Sequence, residues 1–432
     1  MKFYSFLWVA LFFLLPVSSA FAWGTPHIAI TKAAIQTLPP AHKKLLAGEL
    51  VKLGDDYCLI PDHVYSDKEN ARFAKMESKP DVLYLLNLHL PAQQEENLET
   101  LRYFMGKAVE ALRAGKIGEA ARFMGTVCHQ LEDYGSPAHT VPGDNMFTLL
   151  QQFLPPSEGM KGQLLHSPIE SGDLDVSITG YQAKLLGITV EEAAWRLLHR
   201  VNEGILNARS TTIPIIQALY AEDANAVKKW QLKAATMDAQ IVADALYTML
   251  SLGSGEIEEE GRLALQKIQI SAYFPLEAES LYYPQSQFFS KPNWGCPQSG
   301  LILAQGKQVT PLSLRIEDTG AVEVKKFAEG ISAGMGRSLT FLLPKGVYQN
   351  FTVWAGLHPE LGKQGRVEFT IMGDGKILES VIVDGSEPAR LMQCEVDGFK
   401  QIELKLSTPR ADGIKVDAKN NYAIWAEPTL LK

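Results

Sequence analysis

Met124-Gly125-Thr126-Val127-Cys128-His129-Gln130-Leu131-Glu132-Asp133-Tyr134-Gly135-Ser136-Pro137-Ala138-His139 is the stretch on which the reading of this chain turns. Glu119 through Asp133 reads as a helix, and His129 and Asp133, four apart, leave it on one face. Gly135, Ser136 and Pro137 break the helix, and His139 returns on the loop. Imidazole and carboxylate are zinc ligands, and an i, i+4 pair can flank one ion. Alone, such a pair is more often a hydrogen-bonded structural pair, so the reading rests on a larger set.

That set runs through the first 170 positions. His166 and Glu170 are again four apart, with Pro168 between them. Proline inside a helix costs about 3 kcal/mol, so this pair belongs at a helix start. Asp62 follows Ile60-Pro61, with Asp55, Asp56 and His63 as nearby rivals, and His89 lies in Asn87-Leu88-His89-Leu90-Pro91. The chain opens with Lys2, an apolar run from Phe6 to Val17 and Ala20-Phe21-Ala22, the pattern of a cleaved signal peptide. Cleavage there leaves Trp23 as the new terminus, with His27 close behind. An α-amino group has a pKa of about 8, so it binds a metal with little penalty and chelates through its own carbonyl oxygen.

No later apolar run is long enough to cross a membrane, so a secreted or periplasmic protein without a transmembrane anchor is expected. A net charge of -8 counts against a grip on polyphosphate backbones, although bound zinc would reverse the local field. Four cysteines divide as Cys58 and Cys128, then Cys296 and Cys394, and suggest one disulfide in each half. Helical spacing persists from Pro26 to about Leu252, as in Ala193-Leu197-Leu198-Val201-Ile205 and in Met237 to Leu250. Alternating strands such as Val367 to Ile371 and Ile402 to Leu406 follow, separated by Asp374-Gly375, Asp384-Gly385, Asp397-Gly398 and Asp412-Gly413. The acidic run Glu256 to Glu260 reads as a solvated helix start. The expected organisation is a signal peptide over 1–22, a helical domain over 23–254, a junction over 255–292 and a β-sandwich over 293–432. His42 in a polar loop, His199 on an amphipathic helix and His358 in the β region carry no functional expectation, and Trp195 and Tyr247 read as core.

The order Trp23, His27, Asp62, His89, His129-x3-Asp133-x5-His139, His166-x3-Glu170 resembles the zinc-dependent phospholipase C family over about residues 23 to 250. Gly24-Thr25-Pro26-His27 and Ile60-Pro61-Asp62 are similar to elements of the same family. The resemblance implies an all-α domain holding three zinc ions. Asp62, His89, His129 and Asp133 would hold one; Trp23, His27 and the shared Asp133 a second; His139, His166 and Glu170 a third. Hard carboxylates and borderline imidazoles agree with zinc, with positions left open for water and substrate. Asp62 would also orient or deprotonate the attacking water. The implied substrate is a phosphodiester in a phospholipid, cut in the C-type or, as in relatives that cleave glycosyl-phosphatidylinositol, the D-type manner. Single-strand-specific nucleases and nucleotidases share much of the pattern. Here the last pair ends in Glu170 rather than Asp, and no Gly-Gly-Asn stretch separates His139 from His166. A non-catalytic zinc protein is the third class, disfavoured because structural zinc closes with four protein ligands.

From Phe327 onward, Gly330-Ile331-Ser332-Ala333, Tyr348-Gln349-Asn350-Phe351, Val353-Trp354-Ala355-Gly356-Leu357 and Trp425-Ala426 resemble the NPCBM family of carbohydrate-binding modules. This implies an all-β galactose-binding-like jelly roll, a glycan partner and peripheral contact with a membrane surface. Trp354 and Trp425 would stack on a sugar, or fill the sandwich core.

Overall fold

The computed structural model describes residues 24–79, 94–140, 150, 165–276, 297–304, 309–334, 336–409 and 421–432. The expected signal peptide, Trp23, His89, Cys296 and Asp412-Gly413 lie outside the described residues.

The first half is helical: α1 (Gly24–Thr37), α2 (Pro40–Leu46), α3 (Leu50–Asp55), α4 (Gln94–Arg113), α5 (Ile117–Gly135), α6 (His166–Glu170), α7 (Val190–Tyr220), α8 (Ala224–Ser254) and α9 (Glu259–Ala264). Short 3-10 turns at Tyr57–Leu59 and Ala71–Ala74 join the early helices. The 31-residue α7 and α8 form the frame against which α1, α4 and α5 pack. At the start of α7, the Glu192 amide donates to Thr189 Oγ1 at 3.2 Å while Glu192 accepts from the Ile188 amide at 3.2 Å. This is a capping box shifted by one residue at its second bond. Asp223 caps α8, which begins well before the expected Met237, and Gly255 ends it at φ 77°. The acidic run does open a helix, since Glu259 and Glu260 occupy the first turn of α9.

Residues 171–188 interrupt the helical pattern. They run as irregular backbone along α8, where Tyr181 Oη and the Lys184 amide donate to Asp244 at 2.9 and 2.7 Å. Among the described residues no helix is long and apolar enough to cross a membrane.

The second half is an antiparallel sandwich. One sheet has strands β11 (Arg390–Glu395), β8 (Asn350–Leu357), β13 (Ala423–Leu431), β6 (Gly330–Ala333) and β2 (Gln298–Ser299) in that order, with β1 (Lys267–Gln269) paired to the far end of β13. The facing sheet is β10 (Lys376–Asp384), β9 (Arg366–Gly373), β12 (Gln401–Ser407) and β7 (Ser338–Leu342). Alternation along β8, β9 and β12 buries Phe351, Val353, Phe369, Ile371, Ile402 and Leu404 between the layers. Trp425 of β13 meets Phe369 of β9 edge to face at 4.9 Å, so this tryptophan joins the two sheets in the core, whereas Trp354 is only half-buried. Asp374 and Gly375 turn β9 into β10 with φ of 46° and 80°, as an Asp-Gly hairpin requires. A third sheet, β3 (Leu301–Leu303), β4 (Val309–Asp318) and β5 (Ala321–Phe327), covers Ile424 and Ala426 from outside.

The halves share one core. Trp195 of α7 is fully buried and donates its indole N–H to the Leu342 carbonyl at 2.8 Å, and Lys432 pairs with Glu192 at 2.8 Å. The stretch expected as a junction supplies β1, which registers Lys267 to Gln269 on Leu431 to Thr429.

Two expectations need correction. Cys58 and Cys128 are free buried thiols rather than a disulfide; the Cys58 thiol turns back on its own segment, 3.5 Å from the Gly54 carbonyl. Burial pushes both thiols well above their ordinary pKa, and they act as small apolar core residues. Cys394 is likewise a free thiol. His42 is not in a loop: it sits buried in α2, 5.1 Å from the Tyr247 ring, because its helix packs that face against α8.

Candidate metal centre

The geometry of the site begins with a glycine. A Cβ on Gly125 of α5 would overlap the Tyr57 carbonyl, so only glycine lets the helix press against the 57–59 turn. That contact brings the Cys58 carbonyl 2.7 Å from His129 Nδ1, one turn further along α5. A carbonyl only accepts, so Nδ1 carries a proton and Nε2 is the ring atom turned toward the carboxylates. Asp62, three residues past the turn, then lies with Oδ1 3.5 Å from His129 Nε2. Asp133 reaches the same nitrogen from the next turn of α5 at 3.4 Å.

His27 arrives from the first turn of α1. Its Nδ1 meets Glu132 Oε2 at 2.7 Å, and Thr31, one turn on, donates to Glu132 Oε1 at 2.5 Å. Glu132 therefore ties α1 to α5 and turns His27 Nε2 toward Asp133 Oδ1, 3.5 Å away. The two imidazoles stack with centroids 4.1 Å apart. Ligand atoms of His27, Asp62 and His129 all lie within 4.8 Å of one another.

A second cluster joins His139, His166 and Glu170, again within 4.8 Å. His139 Nε2 is 3.5 Å from Glu170 Oε1, His166 contacts the same oxygen, and the two rings meet edge to face at 5.0 Å. His166 opens α6 and Glu170 closes it, which leaves Pro168 inside the first turn, where its missing N–H has no partner to lose.

Does this donor set fit a metal? His27 Nε2, His129 Nε2 and Asp62 Oδ2 are buried and have no hydrogen-bond partner among the described residues. Three orphaned buried atoms in one place are costly unless something binds them. Two are imidazole nitrogens whose opposite nitrogens are each held by an acceptor, the usual arrangement around a metal-ligating histidine. Burial opposes a charge on His129, but Asp133 and Asp62 outweigh it and hold its pKa well above the ordinary value. Carboxylates thus dominate the local field, as a cation requires. The residues present fit zinc.

Of the expected ligands, His27, Asp62, His129 and Asp133 come together, and His139, His166 and Glu170 come together; Trp23 and His89 lie outside the described residues. The rival Asp55 instead pairs with Lys32. Sequence reasoning missed Glu132, Thr31 and the Cys58 carbonyl. The spacing of His27 and Thr31, four apart on α1, is the one signal that marks two of these contacts in advance. Asp238 of α8 was also missed. It is fully buried against Gly135, and burial, then Glu132, push its carboxyl well above the usual range.

Among curated proteins none matches this chain. Three similar solved structures are the second CBM51 and INT domains of Clostridium perfringens ZmpB, the alpha-toxin of an avian Clostridium perfringens strain, and the alpha toxin of Clostridium absonum. The first is 20% identical with a TM-score of 0.27, over 32% of this chain and 28% of that one. The toxins are each 12% identical, with TM-scores of 0.32 and 0.34, over 94% and 96% of this chain and 86% and 99% of theirs. The chain thus spans less than a third of the ZmpB structure it matches. Residues 291–431, which contain every strand of the sandwich among the described residues except β1, match the family model of the NPCBM/NEW2 domain.

Proposed function

We propose that this chain is a secreted zinc-dependent phosphodiesterase that hydrolyses phospholipid in the phospholipase C manner. The observation that carries the reading is the convergence of three orphaned donors, His27 Nε2, His129 Nε2 and Asp62 Oδ2, in one buried place. The proposed ligands are Trp23, His27, Asp62, His89, His129, Asp133, His139, His166 and Glu170, for three ions. Zinc held there supplies Lewis acidity toward phosphoryl oxygens and acidifies water at neutral pH.

The chain's own groups do the rest. Asp62 is the least buried carboxylate of its cluster, 11% exposed at the side chain, so it faces incoming water. Its carboxylate accepts a hydrogen bond from the attacking water and orients it toward phosphorus. Glu132 and the Cys58 carbonyl hold the Nδ1 protons of His27 and His129, so Nε2 is the atom each ring would offer to a metal. The C-terminal sandwich is proposed to bind glycan and so hold the enzyme on a membrane surface; the NPCBM/NEW2 match supports that role.

Zinc-loaded protein beginning at Trp23 should be assayed on phosphatidylcholine vesicles and on single-stranded DNA, with and without a chelator. Release of phosphocholine that a chelator abolishes is expected. Release of free choline would make the cleavage D-type. Turnover of DNA alone would replace the phospholipase with a nuclease, and no turnover at full zinc loading would leave a binding protein.

A further inference from the structure

α6, which carries His166 and Glu170, is a five-residue turn, too short to satisfy itself. Its last carbonyls have no intrahelical partners, and its middle residue, Pro168, has no N–H. The Ile169 amide returns to Leu165 O at 3.2 Å and the Ser171 amide to Ser167 O at 2.8 Å, which closes the turn from within but leaves its last carbonyls unmet. Three carbonyls at this end meet one side chain from α8. Gln231 Nε2 donates to the carbonyls of Ile169 and Ser171, both at 2.9 Å, and shares a proton with that of Pro168 at 3.3 Å. An amide NH2 has two protons, so the longest of the three contacts is the shared one. Three converging carbonyls also fix which amide atom faces them, since the oxygen cannot donate. Gln231 is 2% exposed, and Gly172 leaves room for its Oε1.

We propose that Gln231 is a positioning residue for the His139, His166 and Glu170 cluster. It clamps the carbonyl end of the ligand turn to a 31-residue helix, and so sets where Glu170 points. The inference rests on the metal reading above. Glu170 itself lies between two Gln231 acceptors, the carbonyls of Ile169 and Ser171. A turn freed at these carbonyls keeps its residues but loses the angle at which Glu170 meets His139 and His166.

The test is zinc stoichiometry and affinity in the full chain from Trp23, by competition with a chromogenic chelator, for the parent, Gln231→Met, Gln231→Glu and Glu170→Gln. Methionine keeps the length and volume of glutamine but donates nothing. The parent should hold three ions. Gln231→Met should hold two as tightly as the parent and the third about 10- to 100-fold more weakly, the scale of lost support to a metal ligand. Excess zinc should restore the third ion and with it kcat. Gln231→Glu, which sets a carboxylate against three carbonyls, should weaken the same ion at least as much. Thermal melts of the metal-free proteins separate this from general loss of fold. Three ions at parental affinity in Gln231→Met would overturn the clamp while Glu170→Gln still lost an ion. Equal weakening of all three ions, with a lower metal-free Tm, would also overturn it. A parent whose zinc content Glu170→Gln leaves unchanged would overturn the metal reading and the clamp together.

Discussion

The two histidine clusters are built from the same chemistry on opposite kinds of support. His129 and Asp133 project from the last two turns of a 19-residue helix, and their side chains are 0% and 2% exposed. His27 joins them from another helix, tied by Glu132 and Thr31. His139 lies on a loop, His166 and Glu170 on a single turn, and the two imidazoles are 12% and 16% exposed. The first cluster is held by the body of the fold, whereas the second depends on local devices that bind one short segment to that body. Preorganised ligands lose less conformational freedom when a metal binds, so the first cluster should bind more tightly.

The largest expected effect tests that ranking directly. His129→Ala removes a ligand from the body-held cluster and should lower phosphodiester turnover by about three orders of magnitude or more. Measured alongside it, His166→Ala should cost less and recover partly in excess zinc. Equal losses, or recovery by zinc of His129→Ala alone, would reverse the comparison.

Next is Glu132→Gln. The amide keeps the shape but has a single acceptor oxygen, so it no longer accepts from both His27 and Thr31 through separate oxygens, and it removes a buried negative charge. Zinc affinity at the first cluster should fall about 10- to 100-fold, with His139, His166 and Glu170 unaffected. Stoichiometric titration with zinc checks this, and unchanged affinity would mean that His27 is oriented by α1 alone.

How far these supports were legible depends on where the information lies. Most of the residues that converge in the two clusters were legible because i, i+4 spacing in His129 and Asp133 is a local property, and a helix converts it into a shared face. The sandwich was legible because strand alternation and Asp-Gly turns are also local. The second layer of contacts was not. Glu132 acts on a residue 105 positions away, and Gln231 on the 168–171 carbonyls some 60 positions before it. Nothing in the periodicity of either helix says which buried polar residue faces which neighbour. The failed disulfide has a similar origin: an even number of cysteines says nothing about where two thiols point, and Cys58 turns toward Gly54.

The pH dependence of folding sharpens the contrast between the site and the remainder of the helical half. His199 of α7 is fully buried, stacked on Tyr273 at 3.6 Å, and neither ring nitrogen has a hydrogen-bond partner among the described residues. Burial, then Arg196, lower its pKa to about 3. The unfolded chain takes up a proton near pH 6.5 that the folded chain refuses until about pH 3. Stability from this residue is therefore complete above pH 6.5 and is lost progressively as pH falls toward 3. Between pH 8 and pH 5 the loss is about 2 kcal/mol. His199→Phe should flatten that part of the profile relative to the parent, as measured by urea unfolding of the metal-free proteins. Parallel profiles would show that His199 is protonated in the folded state.

The smallest effect belongs to the capping residue of α7. Thr189→Ala removes the oxygen that receives the Glu192 amide, and the loss of such a cap costs about 1 kcal/mol. Glu192 also binds Arg196 and Lys432, so the first turn of α7 is held from the sandwich side as well. That second hold should limit the damage to a small drop in the urea midpoint, with zinc stoichiometry and affinity unchanged at both clusters. The cap thus tests the premise of the comparison: loosening the frame far from the ligands should move stability alone, while loosening Glu132 or Gln231 should move metal affinity. A Thr189→Ala protein that folds but loses zinc from the His139 cluster would mean that the short turn draws its geometry from the whole of α7, and that the two clusters differ less than their supports suggest.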